Sequence, residues 1–394
     1  EREGGPARRA ALLLAAALGA VALVVAAVLT ATDDGDEPPA AVELDGCRGL
    51  LADASRECLT RTFRAVVGEL EDPRPAVAAI ETAVRREGGF PLSNCHGVMH
   101  TVGRTYALDE GLTLAGLKDV LPRSNDPGCS AGFAHGLVTG VAPSIDVRRP
   151  QEAAAPCADA GTRYRRYSCV HGLGHAFMRI HGDRLGPALE LCRALGEQAP
   201  DCAQGAYHDY WFAVAGVDDA ALPGAGETEP RALCGSQPPR FVRPCWYRAF
   251  VDNRPAGITV DSPEHLDVLC DGLDGLQRQA CITAASVIGP PDPALQLQIC
   301  AALEDPGDAA SCVRGTKVQN LLGEPQAAFV DLIRRCDRFD ATAERACYRW
   351  LGKTIAVVTD GAFADDGCPE LESEAERLCR DGAASMDAAL VTFS

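Results

Sequence analysis

Lysine is nearly missing from this sequence: Lys118, Lys317 and Lys353 are the only three in 394 residues. Aromatic residues make up 5%, and acidic side chains outnumber basic ones 55 to 37, for a formal net charge of −18. A chain this acidic repels polyanions, so nucleic acid is excluded as an expected partner. No Cys-x-x-Cys occurs among the 18 cysteines, which removes the common zinc-ribbon, thioredoxin and c-type haem patterns. The zincin His-Glu-x-x-His, the Gly-x-Ser-x-Gly elbow, the P-loop and a complete Gly-x-Gly-x-x-Gly are also missing. His96–His100 and His171–His175 have the His spacing of a zincin, but Gly97 and Gly172 stand where its catalytic Glu would be. No serine, lysine or aspartate stands out as a nucleophile.

What is present begins with topology. Residues 10–32 carry no charge and are rich in Leu, Val and Ala. At 1.5 Å per residue they are long enough for a hydrocarbon core of about 30 Å. Arg8 and Arg9 precede the segment, and Asp33, Asp34, Asp36 and Glu37 follow it. The positive flank stays inside, so the expected order is a cytoplasmic stub (1–9), a transmembrane signal-anchor (10–32), an acidic Pro-containing tether (33–45) and an exported domain (46–394). A cleaved signal peptide is the alternative, although its apolar region usually runs only about 7–15 residues. Either way the bulk of the chain is expected outside the cytoplasm. The single-pass reading puts the protein in the cell membrane with its N-terminus inside.

The cysteines fit that compartment. Eight pairs share nearly one spacing, 10 to 12 positions: Cys47/Cys58, Cys157/Cys169, Cys192/Cys202, Cys234/Cys245, Cys270/Cys281, Cys300/Cys312, Cys336/Cys347 and Cys368/Cys379. The second cysteines, with Cys95 and Cys129, recur about every 36 residues, a period typical of helix-turn-helix arrays. The first cysteine of a pair ends an amphipathic stretch, as in ALELCRAL. A polar turn follows, and the second cysteine is expected to open another helix, as in CAQGAYHDYWFAVAG. Facing positions on an αα-hairpin satisfy the roughly 4.4–6.8 Å Cα separation of a disulfide. The expected fold is therefore all-α: a disulfide-stapled αα-hairpin repeat array of about ten hairpins, an α-solenoid, open or curved toward a toroid. Cys95 and Cys129 lack a first cysteine; they either bridge to each other across repeats or stay free.

A second pattern rides on the first. In four successive repeats the second helix carries Gly-x-x-His: Gly97/His100, Gly132/His135, Gly172/His175 and Gly205/His208. His96 and His171 stand four residues before His100 and His175, so six of the eight histidines share this register. The later repeats keep the cysteine frame without the histidine: Val251, Val287, Val318, Lys353 and Ser385 occupy the corresponding places. The hairpin can thus be built without it. The histidine-bearing repeats span about 85–215 and the histidine-free ones about 216–394.

Histidines at i and i+4 face the same way and can share one ion. Imidazole suits Zn, Cu, Fe or Ni rather than Mg or Ca. The expected ligands are His135, His175 and His208 first, with His171 and His100 completing or orienting the site, and zinc ahead of copper or iron. Asp209 and Asp252 are the candidate catalytic carboxylates, as base or further ligand, with Glu110 as another acid nearby. Tyr207, Tyr210 and Trp211 are expected to line a pocket. His96 ranks below the other five, and His181 and His265 are read as surface or packing residues. The leading expectation is a membrane-anchored extracytoplasmic protein binding a transition metal, serving a hydrolytic or oxidative reaction. The alternative is a non-enzymatic exported scaffold, its concave face taking a protein or small molecule and its histidines forming a structural ladder. Histidine ligands on stacked helical hairpins are similar in logic to HEAT-type metal hydroxylases. The His-Glu pairs of that family are missing here, so no residue or activity carries over.

Overall fold

The chain divides into two units, Glu1–Ala40 and Ala41–Ser394. The computed structural model describes residues 42–70, 72–215, 228–253, 258–290, 292–316, 335–358, 368 and 371–385, all in the second unit. The expected spanning segment, 10–32, lies outside the described residues. Among those described, no helix is long and apolar enough to cross a membrane.

The described residues form helices and turns, without a strand. The principal helices are α1 (Ala52–Gly68), α2 (Pro73–Glu87), α3 (Gly89–Asp109), α4 (Cys129–Gly140), α5 (Arg163–Ile180), α6 (Leu185–Arg193), α7 (Ala199–Val214), α8 (Pro230–Gly235), α9 (Pro239–Asp252), α10 (Pro263–Leu269), α11 (Gly275–Ser286), α12 (Pro293–Ala301), α13 (Pro306–Arg314), α14 (Ala341–Val358) and α15 (Ser373–Ser385). Several starts are written locally. Pro73, Pro230, Pro293 and Pro306 open their helices, where a missing N–H costs nothing. The carboxylates of Asp72, Glu229, Asp292 and Asp305 just before them accept a backbone N–H of the first turn.

All 18 cysteines are paired. The short-range disulfides are Cys47–Cys58, Cys157–Cys169, Cys192–Cys202, Cys234–Cys245, Cys270–Cys281, Cys300–Cys312, Cys336–Cys347 and Cys368–Cys379. Their Cα–Cα separations are 5.3–5.8 Å, as the spacing requires. Cys95 and Cys129 bridge each other at 5.0 Å and tie α3 to α4.

The expectation that the second cysteine opens its helix is corrected by the structure. Only Cys129 does so. Cys58 in α1, Cys169 in α5, Cys245 in α9, Cys281 in α11, Cys312 in α13, Cys347 in α14 and Cys379 in α15 are each the seventh residue of their helix. Cys202 is the fourth residue of α7. These helices start earlier because their caps do. Thr162, Asp305 and Asp340 accept first-turn N–H groups, and Pro200 and Pro239 enter at the first turn. The turn between paired cysteines is correspondingly shorter than the sequence suggests.

Each long helix packs against the next in chain order: α3 on α4, α4 on α5, α5 on α7, α7 on α9, α9 on α11 and α11 on α13. The shorter α6, α8, α10 and α12 pack on the helices that follow them. The approach of the first four is set by glycine. A Cβ on Gly132 would penetrate the backbone carbonyl of His96, one on Gly136 that of His100, and one on Gly205 that of His171. Gly315 and Gly382 meet the carbonyls of Thr283 and Arg349 in the same way, so close glycine contact also occurs where there is no histidine. Gly97, by contrast, has nothing within 4 Å of a Cβ.

Substituting these glycines should therefore have effects of opposite sign. Gly205→Ala forces α5 and α7 apart and should cost about 1–3 kcal/mol. Gly97→Ala should be neutral or stabilising by up to about 1 kcal/mol, through helix propensity alone. Urea unfolding of the oxidised protein compares the two; equal midpoints would show that α5 and α7 do not depend on that contact.

Candidate metal centre

Four closely packed helices bring six imidazoles into one cluster. α3 supplies His96 and His100, α4 His135, α5 His171 and His175, and α7 His208. Ring centroids lie 4.9 Å apart for His96–His100 and His100–His135, 4.5 Å for His135–His171, 5.0 Å for His100–His175, and 5.1 Å for His175–His208. Parallel helices carrying a surface ladder would separate such rings by about 8–10 Å. The glycine contacts remove that spacing. His135, His171 and His175 are 3%, 0% and 2% exposed, the most deeply buried of the six.

The tautomers follow from the partners. His96 Nδ1 is 2.8 Å from the Pro127 carbonyl oxygen, which only accepts, so Nδ1 carries the proton and Nε2 presents a lone pair. His175 Nδ1 donates to Asp209 Oδ1 at 2.7 Å, leaving Nε2 as a lone pair that is buried and has no hydrogen-bond partner. His135 Nε2 stands 3.0 Å from Ser168 Oγ, which can accept its proton and leave Nδ1 bare. His100 Nε2 then faces two acceptors, His96 Nε2 at 3.2 Å and His135 Nδ1 at 2.9 Å, and can donate to only one of them. Along His96, His100 and His135 that arrangement leaves one inward proton between two acceptors.

Burial keeps His96, His100, His135, His171 and His208 neutral. It lowers the His96 pKa to about 4, against weak support from the Pro127 carbonyl. His100, His135, His171 and His208 are pushed well below the ordinary value, by burial first and then by neighbouring imidazoles and the Arg248 guanidinium. Neutral imidazole is the metal-binding form. Two sets of three offer one nitrogen each within 4.8 Å of one another: His96, His100 and His135, and His135, His171 and His175. These side chains could hold a metal ion. Sulfur takes no part, because every thiol, Cys58, Cys202, Cys312, Cys347 and Cys379 among them, is tied up in a disulfide.

A cavity of about 520 Å³ opens on one side of the cluster; His96, His100, His175 and His208 line it, and His135 and His171 lie behind them. Phe212 lines it too and stacks on His208 at 4.5 Å. Asp252 is within 3.8 Å of His208 Nδ1 and 3.3 Å of Arg248 Nη1; burial raises its carboxyl to about 7 despite that guanidinium.

The structure brings together the five histidines and both aspartates expected from the sequence, and places His96 in the cluster beside them. Sequence reading missed Ser168 and Arg248, whose Nη2 lies 3.5 Å from His171 Nε2. Arg248 had a signal: it stands three residues after Cys245, where Gly132, Gly172 and Gly205 follow their own cysteines. Tyr207, Tyr210 and Trp211 are core residues rather than cavity walls, because they are buried in the packing of α7 and do not reach the lining. Glu110 caps α3 at the surface and is not in the lining. His265 is exposed beside Asp261, and His181 ends α5 away from the cluster. No family model, curated protein or solved structure matches the chain.

The burial of neutral imidazoles sets a pH dependence for metal-free protein. Five histidines with depressed folded values protonate in the unfolded chain near pH 6.5, so the stability they leave intact above that pH is lost as pH falls toward their folded values. Asp252, Glu81 and Asp126, raised by burial, pull the other way, but they are three against five. The urea midpoint after chelator treatment should be lower at pH 5 than at pH 7. The drop should shrink in His100→Ala/His135→Ala; an unchanged drop would mean that the acid lability arises elsewhere.

Proposed function

We propose that the chain is an exported, helical-repeat metal-binding protein whose histidine cluster holds a transition ion. The observation that carries this reading is the spacing of His96 Nε2, His100 Nε2 and His135 Nδ1, at 3.2 and 2.9 Å along the chain of three. Nitrogens about 2.05 Å from one tetrahedral ion stand about 3.3 Å apart. The locked tautomers support it, since His96 and His175 already turn a lone pair inward.

In this reading the ion is held by one of two overlapping triads, His96, His100 and His135 or His135, His171 and His175, with His208 at the open side. Asp209 positions His175, the carboxylate–imidazole arrangement that commonly backs a metal ligand. An all-imidazole set suits zinc first, then copper or iron. Bound there, the ion would supply Lewis-acid chemistry, or redox chemistry if it is copper or iron. The chain's own residues would seat the substrate in the cavity, and Asp252, buried and close to neutral pH in its titration, is the group placed to hold or pass a proton beside His208. The nine disulfides favour an oxidising compartment outside the cytoplasm. Residues 10–32 are proposed as the membrane anchor.

A structural ladder is the second reading, favoured by the direct ring-to-ring contacts of His96, His100 and His135. Elemental analysis separates the two. Oxidised full-length protein should carry zinc, copper or iron, and His135→Ala/His175→Ala should lose it while remaining folded. Asp209→Asn should weaken metal affinity about 10–100-fold. Failure of each of these ions to load the wild type on reconstitution, together with a loss of stability in the double variant, would establish the ladder instead.

A further inference from the structure

The cavity in front of the histidines has the opposite sign to the protein that contains it. Arg104 and Arg179 stand four residues after His100 and His175, one turn further along the same faces of α3 and α5. Both line the cavity, as do Arg56 and Arg248. Asp209 and Asp252 are the two carboxylates in the lining, and each is engaged: Asp209 with His175 at 2.7 Å, Asp252 with Arg248 at 3.3 Å. On a chain of net charge −18, four guanidiniums against two carboxylates in one concavity are a local reversal. Concave walls of one sign focus the field and concentrate counter-ions.

The chemistry of the wall narrows the ligand further. A guanidinium presents a planar fork of donors that matches the two oxygens of a carboxylate or phosphate. A volume of about 520 Å³ fits a small molecule rather than a chain segment. Phe212 adds an apolar wall beside His208, suited to the uncharged part of such a molecule. Metal-binding imidazoles do not need arginines above them. Cations there oppose a bound cation, unless an anion is to lie between them.

We propose that the cavity binds a small solute bearing an oxyanion, a carboxylate or phosphate, against Arg104 and Arg179 and next to the histidine cluster. This names the substrate class of the proposed metal site and rests on that reading for its reactive partner. The arginines are binding residues and lie outside the expected ligand set.

Calorimetric titration of the full-length protein with inorganic phosphate and with acetate tests it, on chelator-treated and zinc-reconstituted samples at low ionic strength. At least one anion should bind saturably, and the tighter of the two identifies the headgroup. Arg104→Gln/Arg179→Gln should weaken that binding by roughly tenfold or more with metal content unchanged. Arg377→Gln, on the exposed face of α15, should leave it unaltered. An anion effect in protein that takes up no metal would sustain the anion site while removing the metal reading. The proposal is overturned if neither anion binds, if the double variant binds as wild type does, or if Arg377→Gln weakens binding equally.

Discussion

The histidine cluster depends on direct backbone contact between neighbouring helices. Where Gly132, Gly136 and Gly205 lie against the carbonyls of His96, His100 and His171, no side chain separates the helices. Glycine inside a helix costs about 1 kcal/mol against alanine, so these positions work against local propensity. What they permit is an inter-helix approach at which imidazoles on α3, α4, α5 and α7 meet, rather than standing in a row. The Cys95–Cys129 bridge holds the first of these contacts from the side.

Closeness alone would give a pile of mutually repelling groups. Burial prevents that by keeping five of the six rings neutral, and the outer partners bear on which nitrogen faces inward. The Pro127 carbonyl, the Ser168 hydroxyl and the Asp209 carboxylate each engage one ring nitrogen from outside the cluster. The inward nitrogens are then short of protons, and His175 Nε2 has no partner at all. A buried acceptor in that state is a cost to the metal-free fold. An ion that takes the lone pair offsets it, which links the geometry to a function.

The cysteine frame and the histidine register belong to different layers of the design. Disulfides continue through α9 to α15 and close glycine contacts recur at Gly315 and Gly382, where the histidine register has stopped. The boundary between the layers is Arg248, which stands in the glycine register of α9 and reaches back to His171. A fifth helix thus contributes to the cluster, with a fixed cation instead of an imidazole.

Composition, cysteine spacing and helical period were enough to establish an all-helical, disulfide-bonded chain and to pick out Cys47/Cys58 and its seven analogues. These are short-range features: partners 10 to 12 residues apart leave the turn little choice of pairing. Where each helix starts was less legible, since Cys312 and Cys347 mark the bridge while Asp305 and Asp340 mark the cap. The register of His100, His135, His175 and His208 could be read because a helix repeats its faces locally. The Cys95–Cys129 link could be named only as one of two alternatives, since a separation of 34 residues does not by itself bring the two ends together. The weight of His96 could not be read, nor could the parts taken by Ser168, Asp209 and Arg248. Which nitrogen meets which depends on how closely and at what angle helices distant in the chain cross. That is decided by backbone contact at glycine, and a one-dimensional pattern does not contain it.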